Sequence, residues 1–139
     1  MKVLIIEDEK PAARRLSRML AALKLEADVL LHSVEESIQW FQENKHPDLI
    51  FLDIQLSDGL SFEIFEEIAV KSAIIFTTAY DEYAPKAFKL NSIDYLLKPI
   101  DEDELKVAVD KFRSQQTTIS EVKVKIEDIR KLLINPVDQ

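Results

Sequence analysis

The 139-residue chain has no cysteine and a single glycine, Gly59. Without cysteine there is no disulfide framework, no thiolate nucleophile and no cysteine zinc site, and nothing argues for an oxidising compartment. One glycine excludes both the dinucleotide-binding glycine fingerprint and the P-loop, each of which needs at least two. No serine sits in a nucleophile-elbow pattern. His32 and His46 have no metal-like or catalytic spacing and read as surface residues. Long apolar runs are also absent. After Met1 and Lys2 the first run, Val3 to Ile6, is far too short for a signal segment or a membrane span, so a soluble cytoplasmic protein is expected. Basic charge is in deficit, 18 Lys and Arg against 26 Asp and Glu for a net charge of -8, which gives the chain no electrostatic reason to bind nucleic acid.

What is present is a core-forming composition, 47% hydrophobic, in a chain of single-domain length. Five short apolar runs do not alternate with polar residues, as expected of strands buried on both faces: Val3 to Ile6, Val29 to Leu31, Leu49 to Leu52, Ala73 to Phe76 and Tyr95 to Leu97. Each is followed by a segment with helical spacing. These carry Leu16, Leu20 and Leu23; Val34, Ile38 and Phe41; Leu60, Ile64 and Ile68; Ala84, Ala87 and Phe88; and Leu105, Val109 and Phe112. A strand–helix unit repeated five times predicts an α/β fold, a doubly wound five-stranded parallel sheet with helices on both faces. Pro11 suits the first turn of the first helix, and Asp101 suits the cap of the last.

Ligands of such sheets bind beyond the carboxyl ends of the strands, near the point where strand order reverses. That rim would gather Glu7 and Asp8 after the first strand, Asp53 after the third, Thr77 and Thr78 after the fourth and Lys98 after the fifth. Taken singly, each has an ordinary explanation. Glu7, Asp8 and Glu9 would favour the dipole of the first helix, Asp53 could end a turn, and Thr78 and Lys98 could be solvated strand ends. Taken together they suit phosphoryl chemistry. Clustered carboxylates about 4 Å apart repel by roughly 4 kcal/mol per pair at an effective dielectric of 20, and a hard divalent cation such as Mg2+ relieves this. Lys98 and a threonine hydroxyl could grip a phosphoryl group, and Asp53 is a candidate nucleophile.

The stretches "IIEDE", "LIFLDIQLSDG", "FTTAY" and "DYLLKPID" carry a resemblance to a known family. Across residues 2 to about 113 the chain closely resembles response-regulator receiver domains of two-component signalling, most of all those attached to LytTR-type DNA-binding domains. The resemblance implies a (βα)5 flavodoxin-like sheet of order 2-1-3-4-5. It implies that Asp53 is the phosphoacceptor, and that Asp8, Asp53 and the backbone carbonyl of Gln55 hold Mg2+, with Glu7 acting through water. Thr78 and Lys98 would contact the phosphoryl group, and Thr78 and Tyr95 would form the switch. Glu7 stands where aspartate is more usual. A sensor histidine kinase would supply the phosphoryl group, slow self-dephosphorylation would be the only other chemistry, and the segment from the fourth helix through the fifth strand to the fifth helix would form a homodimer. We also expect a cis Lys98–Pro99 peptide bond, where a tight turn must aim Lys98 across the rim.

Two other readings compete. A phosphatase of the haloacid dehalogenase sort would carry a second aspartate two residues past its nucleophile, where this chain has Gln55. A pseudo-receiver would lack a site residue, and none is lost. Residues 1–115 are therefore read as the receiver, and residues 116–139 as a linker. There Ile119, Val122, Ile126, Ile129 and Leu133 form a heptad-like stripe that ends at Pro136, although Val122, Val124 and Ile126 would also suit a short strand. With four basic and four acidic residues beyond Gln116, this tail is no DNA-binding arm. DNA would be reached through an output domain beyond Gln139, and the tail could add to the dimer contact.

Overall fold

A computed structural model of the chain describes residues 1–79 and 94–116. Five strands form one parallel sheet: β1 (Val3–Ile6), β2 (Ala27–Leu31), β3 (Leu49–Asp53), β6 (Ala73–Thr78) and β7 (Asp94–Leu97). Their order is β2-β1-β3-β6-β7. Between β3 and β6 lies a small antiparallel hairpin, β4 (Gln55–Leu56) with β5 (Gly59–Leu60). With the hairpin set aside, the five sheet strands follow the expected 2-1-3-4-5 order. The helices are α1 (Lys10–Ala22), α2 (Val34–Glu43), α3 (Phe62–Glu67) and α4 (Glu102–Gln116). The helix predicted around Ala84 to Phe88 and the predicted stripe from Ile119 to Leu133 lie outside the described residues.

Period-two alternation divides the core. Val3 and Ile5 of β1, Phe51 of β3, Ile75 of β6 and Leu96 of β7 pack with Leu16 and Leu20 of α1 and with Leu105, Val109 and Phe112 of α4. Leu4, Ile6, Ile50, Leu52, Ile74 and Phe76 face the other way, onto Val34 and Phe41 of α2 and Phe62 and Ile64 of α3. All four residues of β1 and all five of β3 are buried, which is why neither strand shows a polar face in the sequence. Edge strand β2 is only partly covered.

Local signals act as the sequence suggests. Pro11 sits in the first turn of α1, where the ring needs no amide hydrogen. Ser33 caps α2 by accepting from the Glu36 amide at 3.0 Å, and Asp101 caps α4 by accepting from the Glu104 amide at 3.0 Å. The helical spacing of Leu60, Ile64 and Ile68 does not hold throughout. Leu60 pairs with Gln55 in the hairpin, and Ile68 is already extended just past α3. Gly59 has φ 145°, a backbone conformation that side-chain-bearing residues rarely adopt, so the hairpin turn favours the one glycine of the chain.

Candidate functional site

From β1 the chain moves outward to β2, then returns past β1 to β3, so strand order reverses between β1 and β3. The carboxyl ends of these strands deliver Glu7 and Asp8 from one side and Asp53 from the other. Asp53 is the last residue of β3 and is only 5% exposed; Glu7 is 4% exposed. The dipole explanation of the acids fails for Glu7. α1 has no acidic residue in its first turn, and the side chain of Glu9 at its N-cap makes no capping bond. Glu7 turns instead to Lys98, with which it forms a close ion pair, and Lys98 Nζ also donates to Asp53 Oδ2 at 3.0 Å.

Lys98 reaches this point because β7 lies beside β6: its amide donates to the Thr78 carbonyl at 2.8 Å, and its peptide bond to Pro99 is cis, as expected. Thr78, at the end of β6, is fully buried. A cavity of about 400 Å³ is lined by Asp8, Asp53, Gln55, Thr78 and Lys98, among others. The rim predicted from four strand ends is thus one site. Tyr95 lies one strand over, paired with Phe76 and half-buried against the core on the α2 and α3 face.

Electrostatics at the rim reflect crowding in a desolvated place. Burial, and then the charge of Glu7, push the Asp53 carboxyl up to about 7 against the opposing pull of Lys98. Burial would raise Glu7 too, but hydrogen bonds from Lys98 and from the Glu9 amide outweigh it and hold Glu7 below its ordinary value. Burial and then Glu7 raise Asp8. Burial disfavours the Lys98 ammonium, yet its bonds to Glu7 and Asp53 hold its pKa above the ordinary value.

One carboxylate oxygen from each of Glu7, Asp8 and Asp53 lies within 4.8 Å of the others, the one such group of three among the described residues. Three carboxylates and one ammonium carry two formal negative charges, which a single divalent cation neutralises. The donors are hard oxygens, the set that suits Mg2+. Two contacts at the site were not legible in the sequence. His32, read as a surface residue, is half-buried, with Nδ1 2.8 Å from the Glu7 carbonyl oxygen. Asp58, at the tip of the hairpin, accepts from the amides of Val34 and Glu35 on α2. Its "SDG" setting marks a turn but names no partner.

Comparison with known proteins gives this arrangement a family. The family model for the response regulator receiver domain matches residues 3–110. The sensory transduction protein LytT of Bacillus anthracis is 38% identical over 132 residues, covering 91% of this chain and 53% of that protein. The transcriptional regulatory protein LytR of Staphylococcus aureus is 37% identical over 118 residues, covering 82% of this chain and 48% of that protein. The chain thus spans about half the length of the curated relatives it matches. Among solved structures, the response regulatory domain of protein mrkE from Klebsiella pneumoniae is 34% identical with a TM-score of 0.70, covering 87% of this chain and 99% of that one. A two-component response regulator from Clostridium difficile is 30% identical with a TM-score of 0.72, covering 84% and 98%. With the sheet order, the acidic rim and these matches in agreement, the chain belongs to the response-regulator receiver domain family.

Proposed function

We propose that Asp53 accepts a phosphoryl group from a phosphohistidine of a sensor histidine kinase. The observation that carries this is the convergence of Glu7, Asp8, Asp53, Thr78 and Lys98 at one strand-end rim. In the transfer, the phosphorus–nitrogen bond of the donor breaks as a phosphorus–oxygen bond to Asp53 forms, the electron pair leaving with the histidine nitrogen. Lys98 presents its ammonium to the charge on the transferring oxygens, and the Thr78 hydroxyl is a further contact for them. Asp8, Asp53 and the Gln55 carbonyl would hold Mg2+ directly and Glu7 through water, and such an ion would supply positive charge to the phosphate oxygens. The phosphorylated product carries roughly -1.5 to -2 charge, and the response of Thr78 and Tyr95 turns this charge into a packing change on the β7 and α4 face. That face carries the exposed apolar side chains Leu97 and Val107, and we take it, with the predicted fourth helix, as a homodimer surface.

Residues 1–115 would form the receiver and residues 116–139 a linker to an output domain that binds DNA, a reading supported by relatives about twice as long, one of them named a transcriptional regulator. No helix of the described residues is long and apolar enough to cross a membrane. We take the domain as a cytoplasmic switch that loses its phosphate slowly. Incubation with a small acyl phosphate and Mg2+ tests the reading: intact mass should rise by one phosphoryl group, and chelation of the metal should prevent it. A chain that stays unmodified with Mg2+ present would overturn it.

Metal affinity should also rank the acids. Asp8→Ala removes a proposed direct ligand and should weaken Mg2+ binding more than Glu7→Ala, whose contact is indirect. Because a proton on Asp53 competes with the cation for the same oxygen, affinity should fall as pH drops through about 7. Calorimetric titration at several pH values measures both. Equal losses in the two variants would reject this ligand set, and binding independent of pH between about 6 and 8 would contradict the raised pKa of Asp53.

A further inference from the structure

The hairpin after Asp53 is fastened at its base and at its tip. At the base, the Ile54 amide donates to the Thr77 carbonyl at 3.0 Å, the Ser61 amide to the Ile54 carbonyl at 2.7 Å, and Leu56 is buried in the core. At the tip, Asp58 uses both carboxylate oxygens on α2: Oδ1 accepts from the Val34 amide at 2.8 Å and Oδ2 from the Glu35 amide at 3.0 Å. Ser33 caps only the Glu36 amide from within the helix's own sequence, and Asp58 supplies from the hairpin the acceptors for the Val34 and Glu35 amides, so the first turn of α2 and the hairpin tip are held by the same two bonds. Asp58 is exposed; the slight desolvation of its carboxyl opposes ionisation, but the two amides outweigh it and hold the carboxyl below its ordinary value, so the grip is charged at neutral pH. Three residues earlier on the same hairpin, Gln55 lines the cavity beside Asp8 and Asp53.

We propose that Asp58 is a positioning residue for the cation: by clamping the hairpin tip to the N-terminus of α2 it fixes the Gln55 carbonyl that completes the ligand set. This rests on the cation reading above. A backbone carbonyl cannot be steered by rotating a side chain, so its aim depends on how the hairpin is held, and Asp58 holds the end that the sheet does not. The coupling is reciprocal: an ion that fixes the hairpin also fixes the acceptor of the Val34 and Glu35 amides.

The test compares Asp58→Ala, Asp58→Asn and Ser33→Ala with the unaltered protein, by calorimetric Mg2+ titration, urea unfolding without metal, and amide hydrogen exchange. Asp58→Ala should weaken Mg2+ binding roughly tenfold, the low end of what outer-sphere supports contribute, and Asp58→Asn, which keeps one acceptor oxygen, should fall between. Ser33→Ala removes the other α2 cap without touching the hairpin, so it should lower the urea midpoint and leave Mg2+ affinity unchanged. Mg2+ should slow exchange at Val34 and Glu35 in the unaltered protein and not in Asp58→Ala. Unchanged Mg2+ affinity in both Asp58 variants would reduce Asp58 to a helix cap and overturn the proposal. Equal weakening by Ser33→Ala would do the same, by assigning the effect to α2 stability. If the unaltered protein bound no Mg2+, the cation reading itself would fall, an outcome separable from either of these.

Discussion

Lys98→Met should slow phosphorylation of Asp53 by at least about a hundredfold, the scale on which a single preorganised electrostatic contact to a reacting oxygen counts. Methionine keeps the length and much of the bulk of the side chain, so the change isolates the charge. Two effects act in the same direction. The ammonium is the one partner that pulls the Asp53 carboxyl down while burial and Glu7 push it up. Without it the proton on Asp53 is held more tightly, and at neutral pH a larger share of the chain carries neither a nucleophile nor a charged ligand at that position. The second effect is loss of the cation that would face the transferring oxygens. Raising the pH should recover the first part and not the second. Initial rates with a small acyl phosphate, read by mass at pH 7 and pH 9, measure both, and a loss under about tenfold at pH 7 would contradict the role given to Lys98.

The largest effect on stability is expected from Phe112→Ala. Phe112 is fully buried where α4 meets the sheet, among Ile5, Phe51, Ala108 and Val109. Removing a buried phenyl ring costs the lost transfer free energy and leaves a cavity that close-packed neighbours fill only in part, about 3–5 kcal/mol in all. Against a total domain stability of roughly 5–15 kcal/mol, that should leave the variant marginal. Val107 on the same helix is 59% exposed, and Val107→Ala should change stability by under about 0.5 kcal/mol. Urea unfolding followed by circular dichroism compares the two. Midpoints displaced equally would mean that the buried stripe of α4 does not face the sheet.

What the sequence disclosed follows from physical periodicity. Val3 to Ile6 and Leu49 to Leu52 announced themselves because strands covered on both faces have no polar side to interrupt them, and their positions fixed which residues follow them at the rim. The hairpin was hidden for the opposite reason. Its strands have two residues each, too few for any period, and Leu60 stands four residues before Ile64, a spacing that imitates a helix face. Asp58 and α2 are 24 residues apart in sequence, so the clamp is a tertiary contact that no local pattern encodes. The contact of His32 with the Glu7 carbonyl likewise depends on β2 lying beside β1, where the Glu7 amide in turn donates to the Leu31 carbonyl. Glu7, Asp8, Asp53, Thr78 and Lys98 were legible because each sits within two residues of the end of a recognisable apolar run, and strand ends are what this topology brings together.

Whether Asp53 itself takes the phosphoryl group is read directly from the intact mass of the unaltered protein and of Asp53→Asn after parallel incubation with a small acyl phosphate and Mg2+. An amide is neither a nucleophile of comparable strength nor a charged ligand, and it nearly preserves the shape of the site. One added phosphoryl group is expected in the unaltered protein and none in the variant; the same addition in both would place the phosphoryl group elsewhere than Asp53.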